Sequence, residues 1–308
     1  MDMQLNETQQ AISDSCARLF ERRAGPVRAR ALRKAEDFDR LLLTEMEEAG
    51  FLDLYAEPDA GPLVAALVVE WTAQAAGLAP VGARSLIAPS VVDGVLPLVI
   101  AVADQKGLNA VRYGAEADML IVVDGDEATV ARRGEFTAAT VRSKFGYPMA
   151  KVTEVGGARL ARGAGAVARR WWRIAIAAEI AGSARAAVDL TVRYMRDRSQ
   201  FDRPIATYQA LQHRIVECHV AVDAAQWAMR EAAYHGAPAA LAASAAITAS
   251  EAAHRVFFET HQLTGAMGFT TEYDLHLYTM RLQTLRLEMQ GMRGHARDLV
   301  AARWPAAS

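Results

Sequence analysis

Apolar positions recur at helical spacing over the first 80 residues, change to short β-rich runs between residues 95 and 160, and return to helical spacing from Trp171 onward. Ile12, Cys16 and Leu19 fall on one helical face behind a polar start, where Asn6 or Thr8 is the expected N-cap. Residues 38–49 repeat the pattern through Leu41, Leu42, Met46 and Ala49, and Gly50 follows where a C-terminal glycine belongs. Residues 64–76 are apolar almost all round, which predicts a buried helix. Residues 96–102, 119–123 and 150–155 read as strands, and Asp124-Gly125-Asp126-Glu127 reads as a hairpin turn. Trp172, Ile176, Ile180, Ala184 and Val188 step by four, and Leu211, Ile215, Cys218, Val222, Ala225 and Met229 step by four and three. These are the stripes of a helix bundle, with a last helix over residues 292–303. Helices, a β insert, then helices again exclude a Rossmann or TIM-barrel plan, in which strand and helix alternate throughout. The expected division is a helical domain at 1–94, a small β domain at 95–165 and a helical bundle at 166–308.

Composition narrows the function. The chain has 308 residues, 52% hydrophobic and 23% charged, enough for a large core and too apolar for disorder. With 34 basic and 36 acidic residues the net charge is −2, which gives no global attraction to nucleic acid or an anionic membrane. Charge interrupts every apolar run before the roughly 20 residues a bilayer span requires, and residues 1–10 lack the pattern of a signal peptide. Cys16 and Cys218 make neither a disulfide framework nor a zinc site, and the cysteine usage suits a reducing cytosol, so a cytoplasmic location is expected. His254 and His261, seven apart, have no Cys or carboxylate at ligand spacing, and no metal site is expected. No P-loop, GxGxxG or GxSxG motif occurs. Trp171 and Trp172 read first as packing residues.

Two stretches carry more. In Tyr194-Met195-Arg196-Asp197-Arg198-Ser199-Gln200-Phe201-Asp202-Arg203-Pro204-Ile205, followed by Tyr208-Gln209, a helix ends in arginines, makes a Phe-bearing turn and restarts. Such an Arg can pair a phosphate in two-point fashion, and the Phe can pack on an aromatic ring. In His261-Gln262-Leu263-Thr264-Gly265-Ala266-Met267-Gly268-Phe269-Thr270-Thr271-Glu272-Tyr273, two glycines three apart let backbone approach a bulky partner closely.

Together these stretches resemble the acyl-CoA dehydrogenase family. The first is similar to its Arg-x-x-Phe-Gly-x-Pro-Ile…Gln motif, with Asp202 in place of Gly. The second is similar to its Gln-x-x-Gly-Gly-x-Gly motif, with Ala266 in place of the second Gly. Glu7-Thr8-Gln9-Gln10 and residues 48–54 resemble the family's opening helices. The likeness covers 1–90 and 165–308 well and 95–160 poorly. It implies a mostly α fold, with an N-terminal helical domain, an abbreviated middle β domain and a C-terminal four-helix bundle. It also implies FAD lying extended at a subunit interface. Arg198 would contact the pyrophosphate, Phe201 would pack on the flavin or adenine side, and Gln209 would reach the adenosine. Gln262, Gly265 and Gly268 would reach FAD held mainly by a neighbouring subunit.

The family reaction is α,β-desaturation of an acyl-CoA thioester, in which a carboxylate takes the α-proton. Aligned with the family's base-bearing loop, Leu287-Glu288-Met289-Gln290-Gly291 puts Gln290 at that position, and a neutral carboxamide has no useful basicity. The family's alternative position falls on Trp172. Glu288, two residues from the main position, and Glu179, seven past the other, are the carboxylates a register shift would recruit. A missing base and a short β domain resemble the heteromeric α2β2 acyl-CoA dehydrogenases of actinobacteria that act on CoA thioesters of steroid side chains. In those a second acyl-CoA dehydrogenase-like subunit carries the Glu, and electron-transfer flavoprotein is the expected electron acceptor. Two alternatives stay open: a flavin-free, non-catalytic thioester-binding member, and a self-sufficient desaturase using Glu288.

Overall fold

The computed structural model describes residues 5–304; the first four residues of the polar N-terminal stretch and residues 305–308 lie outside them. Four helices open the chain: α1 (Glu7–Arg23), α2 (Pro26–Ala35), α3 (Arg40–Glu48) and α4 (Gly61–Gln74). Asn6 is the N-cap of α1: its side chain accepts from Gln9 N at 2.8 Å, while the Gln9 side chain accepts from Asn6 N at 3.1 Å. That reciprocal pair satisfies two of the otherwise orphaned amides of the first turn. Asp39 caps α3 by accepting from Leu42 N at 3.1 Å, without a reciprocal partner, and Gly50 after it is left-handed at φ 75°.

The β region consists of β1 (Ile100–Asp104), β2 (Val111–Arg112), β3 (Met119–Asp124), β4 (Glu127–Arg132), β5 (Thr137–Val141), β6 (Met149–Thr153) and β7 (Ala158–Arg159). It forms one sheet of order β1-β3-β4-β7 and another of order β2-β6-β5. β3 and β4 are the expected hairpin, paired antiparallel from Met119–Arg132 to Asp124–Glu127. The first strand begins at Ile100 rather than Leu96. Pro97 has no amide to give to a ladder and fixes its own φ, so pairing starts beyond it.

From α5 (Ala164–Asp197) the chain is helical again, through α6 (Gln209–Tyr234), α7 (Ala239–Thr264), α8 (Leu275–Leu285) and α9 (Gly291–Arg303). A small hairpin, β8 (Ser199–Gln200) with β9 (Arg203–Pro204), joins α5 to α6. The 34-residue α5 is the axis of the molecule, packed by α4, α6, α7 and α8. Its Trp172–Val188 stripe is buried as expected, and so are Ala175, Ala177, Ala178, Ala181 and Ala187 beside it. The alanines let neighbours approach on several sides at once, which a single apolar stripe cannot specify. The fold is mostly helical with a small sheet region, as the pattern predicts.

Candidate active site

Two regions hold the residues that the sequence singles out. The first is one end of the bundle. α5, α6 and α7 run antiparallel in succession, so the end of α5, the start of α6 and the end of α7 lie together. Arg198, Phe201, Gln209, Gln262, Gly265 and Gly268 all belong to this end. Arg198, Gln209, Gln262 and Gly265 are exposed, and Phe201 is 88% exposed at the tip of the β8–β9 hairpin. Phe201 and Asp202 are both left-handed, at φ 55° and 64°, an uncommon conformation for residues with side chains. Among the described residues Arg198 forms no ion pair. Gly265 adopts φ 57°, ψ −139°, and has open space where a Cβ would stand. Gly268 differs: it is buried, and a Cβ there would overlap Thr264 Oγ1, so its small size serves the α7 turn itself.

The second region is a cleft of about 400 Å³ between the β region and the α8–α9 junction. Val102, Val111, Phe145, Met149, Leu287 and Met289 make much of its wall apolar, and Arg112, Trp172, Glu288 and Gln290 bring polar atoms to it. The chain turns between α8 and α9 through three successive left-handed residues, Met289 (φ 52°), Gln290 (φ 67°) and Gly291 (φ 61°). Two of them carry side chains, a local cost of the kind concentrated at functional sites. Gln290 is exposed and its carboxamide oxygen accepts from Arg297.

Glu288 points the other way, into a charged cluster. Arg112 Nε lies 2.5 Å from Glu288 Oε1, and Trp172 Nε1 donates to Glu288 Oε2 at 3.0 Å. The same guanidinium holds Glu179 on α5 through Nη1 at 2.7 Å and Nη2 at 3.2 Å. Tyr147 Oη also donates to Glu179, at 3.0 Å, and its ring lies under Arg112 with 4.8 Å from Cζ to the centroid. The side chains of Arg112, Glu179 and Glu288 are 14, 14 and 15% exposed, so one cation faces two carboxylates in a largely dry setting. Burial raises the Glu288 carboxyl above its ordinary range; the nearby Glu179 adds to this, while Arg112 opposes it. The two carboxylates that a register shift would recruit are thus brought onto one arginine. Arg112 itself was not singled out by the sequence, since it lies in the stretch without family likeness. Its one signal is a basic residue inside the apolar run Val111–Tyr113. Trp172, expected to be a packing residue, is buried and is also a hydrogen-bond donor to Glu288.

Beside the cleft, Arg173 Nε donates to His295 Nδ1 at 3.4 Å, and Asp298 pairs with both Arg169 and Arg173. His295 is fully buried, and its Nε2 has no partner among the described residues. Burial and the flanking Arg173 push its pKa down to about 4. The neutral form is the folded one, so the stability it confers is present above about 6.5 and is lost as pH falls toward 4. Denaturant titrations at pH 7 and pH 5 should show a smaller loss of stability on acidification in His295→Leu than in the parent chain. Equal losses would rule out this protonation as a contributor.

Among the described residues no group of three or more His, Cys, Asp and Glu is placed to hold a metal, and no helix is long and apolar enough to cross a membrane.

A long central helix in a bundle, a small β region ahead of it and a cleft between them define the acyl-CoA dehydrogenase architecture. Residues 168–304 match the family model described as acyl-CoA dehydrogenase, C-terminal domain. The chain is 37% identical over 131 residues to acyl-CoA dehydrogenase IpdE2 of Mycobacterium tuberculosis, a match covering 42% of this chain and 41% of that relative. The chain therefore aligns with less than half the length of that protein. The fold is similar to the ChsE4-ChsE5 complex of Mycobacterium tuberculosis, with a TM-score of 0.83 at 20% identity over 100% of both chains. It is also similar to the Tcur3481-Tcur3483 steroid ACAD, with a TM-score of 0.81 at 21% identity over 96% of this chain and 98% of that one.

Proposed function

We propose that this chain is one subunit of a heteromeric, FAD-dependent acyl-CoA dehydrogenase. It would contribute cofactor binding and subunit interface, while a second acyl-CoA dehydrogenase-like subunit supplies the catalytic Glu for α,β-desaturation of an acyl-CoA thioester. The observation that carries this reading is Gln290: a carboxamide held by Arg297 lines the cleft, at the residue that the family resemblance aligns with the base. It has no basicity with which to take an α-proton.

The residues at the bundle end suit the cofactor. Arg198 is an exposed guanidinium, without an ion pair among the described residues, of the kind that grips a diphosphate. The 88% exposed Phe201 presents an aromatic face that none of the described residues covers. Gln209 and Gln262 add exposed amides, and Gly265 an uncovered backbone. FAD, when bound, would supply the hydride acceptor. This chain's part is to bind its diphosphate and aromatic portions and to hold them against the neighbouring subunit. The likeness to ChsE4-ChsE5 and to a steroid ACAD supports a two-subunit assembly and a CoA thioester of a steroid side chain as substrate. Electron-transfer flavoprotein would accept the electrons, and the setting would be cytoplasmic.

The test is co-expression with a family member that carries Glu at the position matching Gln290. A yellow α2β2 complex that desaturates acyl-CoA is expected, with Arg198→Ala lowering its flavin content at least tenfold. An active, flavin-loaded assembly of this chain alone would refute the reading, as would a colourless complex.

A further inference from the structure

We infer that the outward face of α6 and α7 is a like-with-like interface, on which α7 of one copy packs antiparallel against α7 of a second copy of this chain. This pairing goes beyond the subunit reading above and does not depend on it. Within an α2β2 assembly it would join the two copies of this chain directly. The bundle end that carries Arg198 and Phe201 would be left to the unlike subunit.

A groove of about 790 Å³ runs along this face, with Ala221 and Ala224 of α6 and Thr248 and Ala252 of α7 in its wall. Val216 and Val220 precede Ala224 at steps of four, so the three share one side of α6. Val216, Val220 and Phe258 are each more than half exposed. Large apolar side chains gathered on one face mark a surface that another molecule covers. The charge around them is mixed. Arg214 pairs with Glu259, and Arg255 with Glu217, each at 2.6 Å. No field of one sign is present to draw in a nucleic acid or an anionic membrane.

The order of residues along α7 singles out a second copy as the occupant. Thr248, Glu251, Arg255 and Phe258 are spaced 3, 4 and 3, which puts them on one helical stripe, and all four line the groove. A two-fold axis level with Ala253 turns this stripe onto itself: residue 251 faces 255 of the other copy, and 248 faces 258. Each acid meets a base and each small side chain meets a large one, twice over. An axis level with Arg255 would instead set Arg255 on Arg255 and Glu251 on Glu259, like charge on like. In the favoured register Phe258 of each copy enters the groove of the other, where Thr248 and Ala252 leave room for the ring. Glu251, exposed and without an ion pair among the described residues, gains one. Arg255 keeps Glu217 and adds Glu251 of the other copy. Such exposed charge pairs fix the register, while burial of Phe258 and Val220 supplies the affinity.

The experiment places two cysteines in the full chain, Thr248→Cys with Phe258→Cys. Ten residues of helix separate them by about 15 Å, too far for a bridge within one chain. Cys16 and Cys218 are buried and do not compete. The chain alone, and the chain co-expressed with the family member used above, are oxidised mildly and analysed by non-reducing electrophoresis and peptide mass spectrometry. A dimer of this chain joined 248 to 258 is expected in at least one of the two preparations, with both single-cysteine variants staying at single-chain mass. Phe258→Asp and Glu251→Arg, at exposed positions, should each move the dissociation midpoint of the assembly to at least tenfold higher concentration by analytical ultracentrifugation, with helical dichroism unchanged. No 248–258 bridge in either preparation would overturn the inference, and protection of α7 from hydrogen exchange on adding the unlike subunit would then assign the face to that subunit. Dissociation unmoved by Phe258→Asp would overturn it as well. A bridged dimer in a colourless, inactive preparation would leave this pairing standing while the subunit reading falls; a yellow, active heteromer without the bridge would do the opposite.

Discussion

Replacing Arg112 with methionine is expected to destabilise the fold by about 3–5 kcal/mol, the usual cost of stranding buried charge. Methionine keeps most of the side-chain volume, so the loss reports charge rather than a cavity. Arg112 is the shared partner of Glu179 and Glu288 and joins the β region to α5 and to the α8–α9 turn. Without it, two carboxylates lie together behind Tyr147 and Trp172 with no cation between them. The defect should depend on pH in a direction that is fixed in advance. Glu288 already has its folded pKa raised above the ordinary carboxylate range, and removing Arg112 takes away the influence that opposes the rise. A carboxyl with a raised folded pKa lends stability below its unfolded value near 4.3 and loses it as pH rises through the folded value. Urea titrations should therefore show the variant closest to the parent near pH 4 and furthest from it at pH 8. A gap that does not change with pH would show that the cluster is not held by charge pairing. The double variant Arg112→Met with Glu288→Gln should recover part of the loss, since one stranded charge is gone.

Gly182→Val is expected to be the most damaging single change in the bundle, at about 3 kcal/mol or more. A Cβ at this position would overlap the Glu70 carbonyl oxygen and sit 2.9 Å from Gln74 N. Both obstacles are backbone of α4, which cannot swing aside as a flexible side chain would. Parting α4 from α5 would also disturb Glu70, which is 1% exposed and is held by Gln226 and by Arg230 at 3.1 Å. Breaking a buried pair of this kind adds its own penalty. Gly107→Ala is the matched control: its nearest neighbour would be Asp104 Cβ at 3.8 Å, and a change within about 0.5 kcal/mol is expected. Chemical denaturation of the two variants beside the parent checks both. Near-parental stability in Gly182→Val would mean that the α4–α5 crossing is looser than its geometry.

Local order along the chain was legible from the residues alone. The capping Asn6, Gly50 after α3, the Asp124–Glu127 turn and the stepped stripes of α5 and α6 are set by short-range preferences and by the period of apolar residues. Such signals survive in a linear reading because each involves partners only a few positions apart. The motif stretches at 194–209 and 261–273 were legible for the same reason, and so was the Gln at position 290. β1 starts at Ile100 rather than Leu96 because an apolar run does not reveal which of its amides finds a neighbouring strand.

The cleft was a matter for the tertiary structure. Glu288 and Glu179 stood in the sequence as two acidic residues near positions of interest, 109 apart, with nothing to say whether they met. Arg112, a further 67 residues before Glu179, carried almost no signal. Only the packing of β2 against α5 and the α8–α9 turn brings the three within hydrogen-bonding reach and removes most of the water around them. A carboxylate's protonation and direction depend on those neighbours, and no linear spacing encodes them. The sequence by itself determined the helices and the presence of a carboxamide, not a carboxylate, at 290; folding determined that a carboxylate, Glu288, lies with its cation in the same cleft.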